Sequence, residues 1–499
     1  MKTRAPLSQL CAWFLLAAAT ATFANTTTDH TWSGATNTNA NDSTNWVGLT
    51  PPPNDGTANL IFGSRTGTGQ INFTTDFSAY SLSFNGAQRY HWLTADWPGS
   101  TLNLGSGGIQ FALSGGLPWA VAELQNPLSL NLQADQIWNL AANTELSVNG
   151  PIKGAFNITK TGSGQLYLSG YNTEFSGNLA IMGGHLVITE AAMLGTGAIT
   201  LGDSTSLQVQ DGSKAIANAI TLGGNNIIES YSGDIQLNGS LNLLNNTTNL
   251  TLYGGNLWAN GLLDGPAEAA LNLSGDHAMI FNGTTSANIQ KITADGAGMI
   301  FASAKALPAS LQVLNGGYLG VAANGLGQTA LTRLTDRALF DGTIGFDTDP
   351  TATTPTVFDD TIDLSGFTAG HISLGSASRA ILSNKCVITP WSSVVVGDQA
   401  SLGADTRHPI AGMEALTYAY YFGNGGGVLQ VQSALTGTAD VVVNSNWKPL
   451  TVYLQGANTF AGRLSAQNSL VVLDSASALP LGSSLYLENR GYIGQTENW

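Results

Sequence analysis

Apolar residues fall at alternate positions in short runs along the chain: Leu166-Tyr-Leu168, Leu186-Val-Ile188, Ala198-Ile-Thr-Leu201, Ile235-Gln-Leu237, Leu241-Asn-Leu243, Leu250-Thr-Leu252 and Leu271-Asn-Leu273. Each run is framed by Gly, Asn, Asp or Ser, which is strand-and-turn chemistry at period two. No amphipathic helix of useful length appears beyond the first 24 residues. The pattern predicts an all-β protein.

Strands this short do not make free-standing sheets, but they can stack in coils so that each pairs with its equivalent above and below at about 4.8 Å. Leu, Ile and Val then point inward, Thr, Ser, Asn and Gln point outward, and Gly occupies the corners, where tight bends favour positive φ. Internal repetition supports stacking. Leu168-Ser-Gly-Tyr-Asn-Thr-Glu-Phe-Ser-Gly-Asn-Leu179 returns as Leu454-Gln-Gly-Ala-Asn-Thr-Phe-Ala-Gly-Arg-Leu464. Part of the unit recurs again: Ala306-Leu-Pro-Ala-Ser-Leu-Gln-Val-Leu-Asn-Gly-Gly-Tyr-Leu319 aligns with the stretch from Ala478 to Tyr492. Coils of roughly 20 to 25 residues predict some fifteen or more turns and a body on the order of 70 to 80 Å long.

The stretch Ile158-Thr-Lys-Thr-Gly-Ser-Gly-Gln-Leu-Tyr-Leu-Ser-Gly-Tyr-Asn-Thr-Glu-Phe-Ser-Gly177, followed by Gly183-Gly-His-Leu-Val-Ile188, resembles the autotransporter-associated β-strand repeat of bacterial passenger domains. The copy near the end departs from that pattern, with Val443-Asn-Ser-Asn-Trp-Lys-Pro-Leu450 in place of the Lys-x-Gly-x-Gly opening. The resemblance implies a right-handed parallel β-helix displayed outside the cell and no particular reaction. It divides the chain into a leader over 1–24, an N-terminal β-rich capping module over 25–120 that begins Thr31-Trp-Ser-Gly34, and a β-helix over 121–499. Passenger-type repeats lie near 156–201 and 451–493.

Met1-Lys-Thr-Arg4 followed by the apolar run Leu10 to Ala24 is a basic n-region and an h-region ending in small residues, the layout of a secretory leader. A membrane span needs about 20 apolar residues, and this run is shorter. Of 499 residues only 10% are charged while 43% are hydrophobic, the reverse of a disordered composition. The net charge is −15, and loss of Lys2 and Arg4 makes the acid excess larger. Nucleic acid and anionic membranes, which demand cationic surface, are therefore not expected partners. Cys386 is the one cysteine outside the leader, so no internal disulfide is expected, and a small buried side chain is the simplest reading of it. Passengers that export themselves end in a barrel of antiparallel strands about ten residues long, and no such run is legible in the second half. The expectation is another export route or a longer polypeptide.

Candidate chemistry is sparse. Asp336, Asp341, Asp347, Asp349, Asp359, Asp360 and Asp363 form an acidic stretch in which Asp347, Asp349, Asp359 and Asp360 could supply oxygen ligands to Ca²⁺. Neither an EF-hand order nor a calcium nonapeptide is present, and Asp is ordinary turn chemistry. The six His are scattered without ligand spacing, so no metal or catalytic residue is assigned. Tyr90, Trp92 and Trp97, with Trp119 and the later Tyr418, Tyr420, Tyr421 and Phe422, could stack on sugar rings or plug the coil ends. The expected function is a non-catalytic, secreted or surface-displayed structural or adhesion rod at the bacterial outer membrane. Its expected partners are extracellular glycans, matrix or a cell surface, and the export machinery. The competing expectation is a carbohydrate-active β-helix enzyme, a polysaccharide lyase or hydrolase, with carboxylates on an outer face.

Overall fold

The period-two runs become strands that pair in parallel with their equivalents one coil away. In the computed structural model the chain forms a parallel β-solenoid of about 16 turns, with 52% of residues in strands. The structure describes residues 27–63, 70–85, 88–96, 98–114, 116–321, 326–335, 337, 340–347, 354–358, 361–363, 371–382, 387–389, 419–432, 434–435, 440–445 and 448–496. Residues 1–24, where a leader is expected, Cys386 and Trp97 lie outside these residues.

A 14-stranded sheet begins at Thr28–Trp32 and runs to Thr284–Thr285, and a 12-stranded sheet runs from Gln70–Phe73 to Ser310–Leu314. A third sheet starts at Lys214–Ile216 and continues to Leu485–Glu488, and a six-stranded fourth spans Thr356–Phe358 to Tyr492–Gln495. Among the described residues the coil is thus first closed by two sheets, then by three, and later by the third and fourth, with Thr361–Asp363 and Val387–Thr389 forming a further two-stranded sheet. Strands between 28 and 111, from the segment read as a front module, belong to the same first two sheets as the later coils. The loop 33–57 is the part that covers an edge. Its Ala40 N–H bonds Asn72 O at 2.8 Å and its Thr38 O accepts from Asn72 N–H at 2.7 Å, which occupies backbone groups that the strand Gln70–Phe73 would otherwise offer to another chain. From this loop Trp46 packs edge-on against Trp32 at 5.1 Å, both fully buried.

Inward positions stack in ladders. Leu146, Leu166, Leu186, Leu207 and Ile228 occupy one register position of successive coils, and all are buried. Burying one such side chain contributes about 1.5 to 3 kcal/mol, so the apolar column is the main cohesive term. At one corner the coils approach so closely that no side chain fits. A Cβ on Gly197 would lie 2.0 Å from Gly177 O, and one on Gly283 would lie 1.9 Å from Gly261 O. One residue further along the same corner each side chain accepts from the next coil's backbone: Asp135 from Asn157 N–H, Asn157 from Asn178 N–H, and Asn178 from Ala198 N–H, at 2.8 to 2.9 Å.

The repeated Asn-Thr phrase acquires a physical meaning here. Asn172 is fully buried; its Oδ1 accepts from Ile152 N–H at 2.7 Å on the preceding coil, and its Nδ2 donates to Met193 O at 2.5 Å on the following one. Asn458 does the same work, accepting from Leu435 N–H at 2.8 Å and donating to Ala478 O at 2.7 Å. One primary amide with both donor and acceptor ties three coils together at each place, which neither Asp nor Leu could do. The Lys of the repeat opening has a similar task. Lys160 points into the core, where its Nζ donates to Gly162 O at 2.9 Å and Gly183 O at 2.5 Å, and burial pushes its ammonium down to about 8.

Candidate functional site

Residues at alternate positions of the second sheet face outward and form columns along the stack. One column reads Tyr90, Val121, Glu145, Gln165, His185 and Ser206. Beside it runs Trp92, Glu123, Ser147 and Tyr167. Adjacent members are about 4.8 Å apart because they sit on paired strands.

The head of these columns is aromatic. Tyr90 and Trp92 stack at 5.6 Å with planes 16° apart, and Trp119 meets Tyr90 edge-to-face at 5.5 Å and 84°. Tyr90 and Trp119 remain 39% and 37% exposed, which is large apolar surface held outward rather than used in the core. The Arg89 guanidinium lies 4.7 Å from the centre of the Trp119 ring, a cation–π contact that steadies the indole. Trp97 lies outside the described residues.

Trp119 is also one wall of a groove of about 370 Å³ that continues over Asn143, Thr144, Glu145, Ser163, Gln165 and His185. Its polar groups are partly tethered: Gln165 Nε2 donates to Glu145 Oε2 at 3.2 Å, and His185 Nδ1 and Ser206 Oγ are 2.6 Å apart. Burial, and then the Glu123 carboxylate on the neighbouring coil, pushes the Glu145 carboxyl up. Glu123 itself accepts from Gln125 Nε2 at 3.0 Å. An aromatic wall beside a small set of convergent polar groups is the general form of a ligand cleft.

Of the acidic stretch, Asp347 is placed differently from a ligand on a surface calcium loop. Asp347 is fully buried and points away from solvent. Its carboxylate accepts from the Tyr318 hydroxyl, from Ser376 Oγ at 2.9 Å, from Ala377 N–H at 2.6 Å, and from Ser378 N–H at 3.1 Å. Burial pushes this carboxyl up against the pull of those donors, and burial together with the Asp347 charge raises the Tyr318 hydroxyl well above its ordinary value. With its lone pairs taken by protein donors, Asp347 acts as a junction between coils. Asp336, Asp349, Asp359 and Asp360 lie outside the described residues. Among the described residues no group of three or more His, Cys, Asp or Glu is arranged to hold a metal ion.

Tyr420 and Phe422 fill the core of the later coils and Tyr421, on the other face of the strand, is also buried, so none of the three offers a stacking surface, and Tyr418 lies outside the described residues. A second hollow, lined by Asn444, Ser445, Gln467, Asn468, Asn489 and Arg490, is tied up internally. There Ser445 Oγ accepts from Asn424 N–H at 2.9 Å and Asn468 Nδ2 donates to Ser445 O at 2.8 Å.

The aromatic head was visible in the sequence as Tyr90-His-Trp92, but the groove was not. Its signal was the alignment of Glu145-Leu-Ser-Val, Gln165-Leu-Tyr-Leu and His185-Leu-Val-Ile, which share one inward Leu and thereby one outward column. Fold and site together define the class: a parallel β-solenoid carrying an aromatic-headed groove on one outer face. Comparison with protein-family models, curated proteins and solved structures finds no match.

Proposed function

We propose that the protein is a non-catalytic rod, secreted or displayed at a bacterial surface, that adheres to carbohydrate through the aromatic head of its second sheet. The observation that carries this reading is the trio Tyr90, Trp92 and Trp119, with Tyr90 packed against both Trp rings on the outside of the coil and two of the three more than a third exposed. Aromatic rings held this way match the apolar C–H faces of sugars and lose little freedom on binding. The secretory layout of residues 1–24, the 10% charged composition and the Asn ladder on the outside of the coils fit a body that works in an extracellular medium. The test is adsorption of the purified protein to insoluble polysaccharides. Wild type is retained on at least one of them, whereas Tyr90→Ala with Trp119→Ala is not. Fusion of residues 1–24 to a reporter enzyme in a bacterial host tests export separately, the expected result being reporter outside the cytoplasm.

One observation favours the enzymatic reading. Glu145 lines the groove with its carboxyl pushed up by burial and Glu123 lies on the neighbouring coil, and two nearby carboxyl groups whose environments push their pKa values apart are the pattern of an acid–base pair. Release of reducing ends from a bound polysaccharide, abolished by Glu145→Gln, would establish it. The expected result is binding without release.

A further inference from the structure

The groove has a direction, a length and a charge, and these constrain its occupant beyond carbohydrate in general. It runs along the stacking axis, from Trp119 beside Val121 through Glu145 and Gln165 to His185, crossing four successive coils. Equivalent atoms on successive coils repeat at about 4.8 Å. An extended β-linked glycan advances by close to that spacing per sugar, so the same kind of side-chain position recurs beneath each ring. A branched or tightly coiled α-linked chain has no such match.

Charge narrows the class further. Glu145 in the groove, with Glu123 on the neighbouring coil in the adjacent column, gives this face an acidic character, which disfavours uronate or sulfated chains. Arg89, over Trp119 at the head, opposes a cationic amino sugar there. Beside His185, the lining also holds Asn143, Ser163 and Gln165, uncharged amide and hydroxyl groups that can both donate and accept, as sugar hydroxyls require.

Resting on the adhesion reading above, we infer that the groove holds an uncharged, extended β-linked glycan lying parallel to the rod axis, one sugar per coil over about four coils, with its first ring against Trp119. Tyr90, itself stacked on Trp92, braces Trp119 edge-on, and Gln165 lies beneath the third ring.

Calorimetric titration of the purified protein with cello- and chito-oligosaccharides of one to six residues, and with alginate and chitosan oligomers of the same lengths, tests this. Affinity for the uncharged β-linked series is expected to rise several-fold per sugar up to about four and then level off, with alginate and chitosan oligomers at least tenfold weaker. Trp119→Ala weakens every length tenfold or more. Gln165→Glu, which keeps the side-chain shape, weakens the tetramer and leaves the dimer unchanged. The cello and chito arms show whether an N-acetyl group adds affinity.

Equal affinity for dimer and hexamer overturns the axial alignment while leaving adhesion through the aromatic head intact. Tighter binding of alginate or chitosan than of the uncharged series overturns the charge selection. Absence of binding to every carbohydrate, including insoluble polysaccharide, overturns the adhesion reading itself. Unchanged circular dichroism of the variants separates loss of the site from loss of the fold.

Discussion

Replacing Asn172 by Ala removes one side chain and strands two backbone groups on two different coils. Ile152 N–H loses its acceptor at 2.7 Å and Met193 O loses its donor at 2.5 Å, and Asn172 is itself fully buried, so water cannot readily substitute. An unsatisfied buried polar group costs about 1 to 3 kcal/mol, so the two together cost about 2 to 6 kcal/mol. That is at the upper end of single-site effects. Urea unfolding followed by far-ultraviolet circular dichroism reads this as a lower midpoint with little change in slope. Hydrogen exchange adds locality, with the Ile152 amide among the first to lose protection. Asn172→Asp separates packing from hydrogen bonding. At neutral pH its carboxylate faces the Met193 carbonyl and cannot donate. The buried charge raises the folded-state pKa of the new group above its unfolded value, so stability recovers as pH falls through the folded pKa and a proton again points at Met193 O. A cost below about 0.5 kcal/mol, the range of ordinary surface substitutions, with Ile152 still protected, would refute the bridging role.

Further outcomes follow from other contacts. Asn458→Ala repeats the loss at the second phrase, because Asn458 bridges Leu435 N–H and Ala478 O in the same way; its cost in denaturation adds to that of Asn172→Ala, as for distant sites. Gly197→Ala places a methyl 2.0 Å from Gly177 O and forces two coils apart, whereas Gly212→Ala meets no atom within 4 Å and carries only the strain of φ 87°. The first variant therefore unfolds at a clearly lower urea concentration than the second. Lys160 has a folded pKa of about 8 against an ordinary 10.5, so the unfolded chain holds the extra proton between these values and stability rises with pH through that window. Relative to Lys160→Met, wild type gains up to about 3 kcal/mol from pH 8 to 10.5, and a pH-independent difference between the two contradicts the assignment.

Much of the architecture is legible because one physical rule repeats. Alternation around Leu146, Leu166 and Leu186 specifies which face is buried, and a one-residue slip would expose the entire column. The Asn-Thr phrase is equally visible, but its role is not, since the partners of Asn172 lie one coil before and one coil after and no local pattern names Ile152 or Met193. The third sheet begins at Lys214-Ala-Ile216, three residues of mixed polarity that carry no strand signal of their own and pair only because Ile235-Gln-Leu237 lies alongside. Asp347 reads as a turn aspartate until the fold brings Tyr318, Ser376 and Ser378 around it. The groove was hidden for the same reason: Glu145, Gln165 and His185 become neighbours through register, and register between coils is a long-range property.

The central claim is that a carbohydrate ligand lies along the outward columns of the second sheet. Hydrogen-exchange mass spectrometry with and without a saturating uncharged β-linked oligosaccharide tests it most directly. The account predicts added protection confined to peptides containing Tyr90 to Trp92, Trp119 to Val121, Glu145, Gln165 and His185, with the later coils unchanged. Protection centred elsewhere on the solenoid, or none at a concentration that saturates binding, would contradict it.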